Sequence, residues 1–287
     1  FLGHGGINFD SILRSNKVKK VVYFASGSAA HHHNREAQKR SDYFFQRHKV
    51  RMIPDRPVDE KEDKVYSRSS SIICLGNNYI ASTFKPHSSV YNLNIAASPK
   101  KRILLDSLFR SPKNFLFFSG AGNLHKGLDI AIESIVGTDC RLYVCTEISE
   151  EFRAFYTAKY TKEQLRNIYF YGFVRQGSRR FKQLVRKCEF VMLLSCSEGS
   201  PGSVVDLMQY GLIPVLTRAC GIDLGAAGKI VEDIEVESVR RCLLTISGSS
   251  KHEIHRFRKE VGELVKDSFS EKAFNKNLGV IMKEVAN

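Results

Sequence analysis

Short apolar runs alternate with helix-patterned stretches along nearly the whole chain. The runs at 21–25, 71–75 and 90–95 read as strands in the first third, and those at 115–119, 141–145, 168–171, 190–194 and 213–216 as strands in the remainder. Between them lie helical patterns at 128–135, 150–156, 179–187 and 203–210, and a tail at 237–285 that reads as three helices. Residues 34–46 are helical in composition, with Arg35, Lys39 and Arg40 marking a polar face. Asn77 and Asn78 are suited to cap a short helix running to Phe84. Strand–helix alternation at this spacing predicts βαβ units and parallel sheets covered on both faces.

Residues 97–114 break the alternation. Ser98-Pro99-Lys100-Lys101-Arg102 and Ser111-Pro112-Lys113 are clusters of proline and charge, which mark domain boundaries. The expected division is a first domain at 1–98, a linker at 99–112, a second domain at 113–267, and a C-terminal helix at 268–287 that packs back toward the first domain. Three strands are too few for a full doubly wound sheet, so the first domain is expected to be short or truncated. Phe1 rather than Met opens the chain, which fits a processed or partial product.

The 287 residues, 43% apolar and 26% charged, suffice for two modest cores. No apolar run reaches the roughly 20 residues of a membrane span, and no secretory leader is evident. Seven cysteines without a CxxC pair read as buried free thiols in a reducing compartment, so a cytoplasmic location is expected. The net charge of +14 is uneven: residues 1–112 carry 19 Lys/Arg against 9 Asp/Glu, and residues 113–287 carry 25 against 21. A basic first region suits an acidic partner such as anionic lipid, a phosphorylated acceptor or nucleic acid; a solvated surface is the plainer explanation. No aromatic-and-basic motif for reading nucleic acid is present, and a nucleic-acid partner is not expected.

Two stretches carry chemistry. Ser195-Cys-Ser-Glu-Gly-Ser-Pro-Gly-Ser-Val-Val-Asp206 joins an apolar run to a helix start through a Gly/Ser-rich turn, which is how α/β proteins offer backbone N–H groups to phosphate. Glu198 and Asp206 bracket it, too far apart to act on one atom. Ser119-Gly-Ala-Gly-Asn-Leu-His-Lys-Gly-Leu-Asp129 follows another strand; Gly120 and Gly122 permit close approach of a ligand, and Lys126 sets a cation at the helix start. Phosphate-binding amides flanked by carboxylates suit a ligand with phosphates and many hydroxyls, such as a nucleotide-sugar. Neither a Walker loop nor an Asp-x-Asp pair occurs, so neutralisation falls to Lys126, loop amides and a helix N-terminus. His31, His32 and His33 lack metal-ligand spacing, and no metal site is expected; His33 and Asn34 are candidates for the acceptor side, with helix capping as the alternative.

These paired motifs, in this order and at this separation, resemble the donor-binding half of GT-B glycosyltransferases, and most closely the large retaining family 4 (glycosyl transferases group 1). The resemblance covers about residues 113–287, more weakly 20–97. It implies two Rossmann-like domains facing a cleft. It implies Lys126 on the diphosphate, Glu198 near the donor sugar, Asp206 on ribose, Gly199, Ser200, Gly202 and Ser203 offering the loop to phosphate and sugar, and Phe173 and Val174 beside the base. Two departures stand out. Asp206 replaces the usual Glu, and Ala121 stands where an Arg is frequent, so one phosphate contact is lost or passes to Arg175, Arg179 or Arg180. The GHGG at 3–6 is expected to follow a lost strand.

The implied activity is metal-independent, retaining transfer of a hexose-type sugar, without a cofactor. The donor is a nucleoside-diphosphate sugar, with a UDP-sugar expected over a GDP-sugar. The acceptor is a glycan or a lipid-linked acceptor in cell-surface polysaccharide synthesis, with the protein peripheral on the inner membrane face. The alternative is a non-catalytic nucleotide-sugar or glycan-binding protein on the same scaffold.

Overall fold

In a computed structural model, residues 1–4, 7–15, 17–98 and 110–286 are described. Two wholly parallel sheets form. The first has the order β1-β2-β3-β4, from β1 (Leu2–Gly3), β2 (Val22–Ala25), β3 (Ser71–Leu75) and β4 (Val90–Leu93). Helices α1 (Ile7–Ser15), α2 (Ala30–His48), α3 (Lys61–Tyr66) and α4 (Asn78–Ser82) connect these strands. The predicted cap holds: the Asn77 side chain accepts from the Tyr79 and Ile80 amides. Alternation sorts the strand residues. Tyr23, Ala25, Ile72 and Cys74 face one core with Phe9, Tyr66 and Phe84, while Val22, Ile73 and Leu93 face the other way.

The second sheet has the order β10-β9-β8-β5-β6-β7. Its strands are β5 (Ser111–Phe118), β6 (Arg141–Cys145), β7 (Ile168–Phe170), β8 (Cys188–Leu193), β9 (Ile213–Thr217) and β10 (Lys229–Val231). The helices are α5 (Leu128–Ile135), α6 (Glu150–Lys159), α7 (Arg179–Lys187), α8 (Gly202–Gln209), α9 (Val236–Ser247), α10 (Lys251–Ser268) and α11 (Glu271–Ala286). Strand β8 is buried along its whole length, as a central parallel strand must be. Helix α11 returns to the first sheet, setting Ile281 and Val285 against Val22, Ile73 and Leu93. All seven cysteines are free, five of them buried.

Three sequence expectations change. A short strand unread in the sequence, Leu2–Gly3, pairs with Val22 and Tyr23; its two residues are too few to give a periodic signal. Ser111 and Pro112 belong to β5 rather than to the linker, whose residues 99–109 lie outside the described ones. Arg40 does not mark a polar face. It is 2% exposed, and its guanidinium donates to the Leu194 carbonyl at the end of β8.

Candidate active site between the two sheets

The second sheet presents two loops at the C-terminal ends of its central strands, where open α/β sheets hold ligands. The loop after β5 ends at Gly127, whose φ of 76° only glycine adopts readily. A Cβ there would lie 2.4 Å from the Leu194 carbonyl oxygen, so the loop packs directly on the end of β8. The loop after β8 is fastened in turn: the Cys196 amide donates to the His125 carbonyl at 2.9 Å, and the Thr217 hydroxyl donates to the Ser195 carbonyl at 2.6 Å.

This docking brings Lys126 and Glu198 together, 72 positions apart in sequence, in an ion pair between largely buried side chains. Ser195 donates its hydroxyl to Glu198 Oε1 at 2.8 Å, and His125 Nε2 lies 3.7 Å from the same oxygen. Burial alone would push the Glu198 carboxyl upward. The His125 imidazole and the Lys126 ammonium outweigh it and hold the group down at about 2. Glu198 is therefore an anion at any physiological pH.

Beyond Glu198, helix α8 opens at Gly202 after Pro201, and no side chain caps it. The Ser200 hydroxyl, just before this start, is buried and has no hydrogen-bond partner among the described residues. Such an orphaned group beside an uncapped helix N-terminus is the usual setting for a bound anion. Ser203 at the helix start donates to the Phe118 carbonyl at 3.3 Å. A Cβ on Gly120 would meet nothing within 4 Å, so the first loop is open there. Phe173 is 73% exposed after β7, and Val174 beside it is buried. Asp206 is buried on α8 and accepts from the Ser98 amide at 2.9 Å and the Ser98 hydroxyl at 3.0 Å. Of the three arginines considered in place of the residue at 121, Arg180 lies over the Tyr171 ring, 4.7 Å from its centroid.

The first sheet closes on this site. The Ser28 amide donates to the Glu198 carbonyl at 3.1 Å, and the Ser28 and Ser197 hydroxyls meet at 2.5 Å. A Cβ on Gly199 would lie 2.4 Å from the Ser26 carbonyl oxygen and 2.9 Å from that of Leu75. His33 stacks on His125 with ring centroids 4.6 Å apart. Burial, reinforced by His125, lowers His33 to about 4, so its ring is neutral at pH 7. Asn34 exchanges two hydrogen bonds with the Val58 backbone, at 2.8 and 3.0 Å, and so fastens the segment after α2. A cavity of about 200 Å³ opens here, lined among others by His33, Arg56, Glu62, His125, Ser197 and Glu198.

Sequence reasoning missed four participants: Asp55, Arg56, His125 and Ser195. The Asp55 carboxylate accepts from the Leu124 and His125 amides at 3.2 and 3.0 Å. Arg56 lays its side chain across Gly122, with Cδ 2.8 Å from where a Cβ of residue 122 would stand. Neither sits in a motif; only the return of the chain after α2 brings them to the loop. Among the described residues, no three His, Cys, Asp or Glu side chains group so as to hold a metal ion. No described helix is long and apolar enough to cross a membrane.

No protein-family model matches the chain, and no curated protein is recognisably similar in sequence. Solved structures do match. Anabaena Alr3699/HepE in complex with UDP superposes with a TM-score of 0.68 at 13% identity, over 99% of this chain and 78% of that one. WaaG, a glycosyltransferase involved in lipopolysaccharide biosynthesis, gives 0.62 at 12% identity over 95% of this chain and 79% of its own. TarM gives 0.65 at 13% identity; this chain covers 98% of itself but spans only 54% of TarM. At these identities the likeness is one of fold, and this chain has the GT-B fold.

Proposed function

We propose that the chain is a glycosyltransferase that moves a hexose-type sugar from a nucleoside diphosphate to a hydroxyl of a glycan or lipid-linked acceptor. One observation carries the proposal: a buried Lys126–Glu198 pair stands beside an uncapped helix start that holds an orphaned Ser200 hydroxyl. The diphosphate lies against the start of α8, where the amides and Ser200 receive its oxygens and Lys126 neutralises charge as the glycosidic bond breaks. Glu198, anionic throughout, receives hydroxyls of the sugar. The base lies by Phe173 and Val174. Asp206 turns from Ser98 to the ribose hydroxyls.

In the retaining reaction, the bond from the anomeric carbon to the diphosphate oxygen breaks, and the acceptor oxygen bonds to the same face. The acceptor proton passes to the departing phosphate, so no separate protein base is needed. The step uses no metal. A UDP-sugar is the favoured donor, in keeping with HepE structures that hold UDP and UDP-glucose. Cell-surface polysaccharide synthesis on the cytoplasmic face of a membrane is the setting that fits such an acceptor. The excess of basic residues would hold the protein there, although Arg40 is buried and the half-buried Arg47 is paired with Asp129 and Glu133, so neither serves such a surface.

A second reading, a binding protein without turnover, draws on Asp206, which is engaged by Ser98, and on Ala121. Two measurements decide. Thermal-shift titration with nucleotides is expected to raise Tm with UDP and less with GDP; no shift with any nucleotide would remove the donor assignment. Release of UDP from a UDP-hexose is expected in the wild type and lost in Glu198→Ala; binding without release in the wild type would establish the second reading.

A further inference from the structure

The segment between α2 and α3 reaches out of the first unit and docks on the loop after β5. Three contacts hold it. Asp55 accepts from the Leu124 and His125 amides. The His33 ring donates from Nε2 to the Arg56 carbonyl at 2.7 Å. Asn34 grips Val58 from both sides. Arg56 between these anchors has φ 61°, a left-handed conformation that a non-glycine residue keeps only where its surroundings enforce it. The enforced backbone sends the side chain across Gly122, where any larger residue would collide with it.

The guanidinium that results is exposed and lines the cavity shared with Glu198, His125 and Ser197. It has no carboxylate partner among the described residues. The nearby acids are committed elsewhere: Asp55 to two amides, Glu198 to Lys126, and Glu62 to the Tyr23 hydroxyl at 2.9 Å. Lys126, the cation within the loop itself, is shared with Glu198. A fully anchored backbone that presents an unpaired guanidinium to a polar cavity is the geometry of a phosphate receptor.

We infer that Arg56 binds a phosphoryl group of the substrate, delivering from the first unit the positive charge that the loop of the second unit lacks at Ala121. The inference rests on the donor assignment above and adds to it a dependence on both units: the phosphate site is incomplete until residues 55–58 are in place. The shared chemistry is a phosphate oxygen, belonging either to the donor's diphosphate or to a phosphorylated acceptor.

Isothermal titration of the full chain and its Arg56→Ala and Arg56→Lys variants separates the sources. The probes are UDP, uridine, and glycerol 3-phosphate added with UDP saturating. Arg56→Ala is expected to weaken UDP on the order of tenfold, the scale of one lost charge-assisted hydrogen bond. Uridine affinity and Tm are expected to stay unchanged, and Arg56→Lys to recover part of the loss. Weaker UDP assigns the donor phosphate; unchanged UDP with lost glycerol 3-phosphate binding assigns the acceptor phosphate. Equal affinities in wild type and Arg56→Ala for both probes overturn the inference while leaving the donor site standing, as does an equal loss of uridine, which indicates a packing role. A wild-type chain that binds neither UDP nor glycerol 3-phosphate ends both.

Discussion

A carboxylate buried beside an ammonium is stable only while both charges remain. Glu198 is held at about 2 against 4.5 for the free group. A depressed carboxyl stabilises the fold above its unfolded pKa and loses that contribution as pH falls through its folded one. At about 1.4 kcal/mol per unit, Glu198→Gln is expected to lower stability on the order of 3 kcal/mol at pH 7. The gap between variant and wild type is expected to be constant above pH 4.5, and to shrink below it toward pH 2. Urea unfolding at stepped pH measures this, and a gap that does not narrow in acid would show that the pair is not the source. That Lys126 and Glu198 each stand on a loop beyond the end of a strand was readable from the turn chemistry around each. That they would touch each other was not, because 72 residues separate them and the contact depends on how β5 and β8 are ordered in the sheet.

At the scale of elements, α2 bears most on the site. Its first turn carries His33 to the cavity, while its last turn reaches the second unit. There Arg47 bridges Asp129 and Glu133 of α5, His48 contacts Glu133 at 2.8 Å, and Tyr156 of α6 donates to Glu133 at 2.6 Å. Phe44 of the same helix is fully buried in the larger core. One helix thus makes contacts in both units. Arg47→Ala is expected to cost about 3–5 kcal/mol, because Asp129 and Glu133 are left buried without their cation. Denaturant unfolding checks it; a loss below 1 kcal/mol would mean water reaches the network. The sequence marked residues 34–46 as helical but gave them a polar face. Arg35 and Lys39 do lie exposed on that face, but Arg40 is buried and Arg47 reaches into the second unit, because the helix packs against both units.

At the scale of the whole molecule, Gly199 is where the two sheets meet most closely. Its virtual Cβ collides with carbonyl oxygens from the ends of two strands of the first unit, and backbone cannot step aside as a side chain can. Gly199→Ala is expected to destabilise by about 1–3 kcal/mol, while Gly120→Ala, facing open space, stays within about 0.5 kcal/mol of wild type. Thermal melts of the two variants test this, and equal Tm values would show that the sheets are not in close contact. The sequence by itself determined the βαβ alternation, the position of nearly every strand of the second sheet, and the two loops that carry Lys126 and Glu198. Those features are local: period-two and period-3.6 patterns, caps and glycine turns act over a few residues. Only the tertiary structure decided that Lys126 pairs with Glu198, that Asp206 is engaged by Ser98, and that Asp55 and Arg56 complete a loop some seventy residues downstream. Such contacts follow from strand order and from where a helix such as α2 ends in space, and no short-range pattern of residues encodes either.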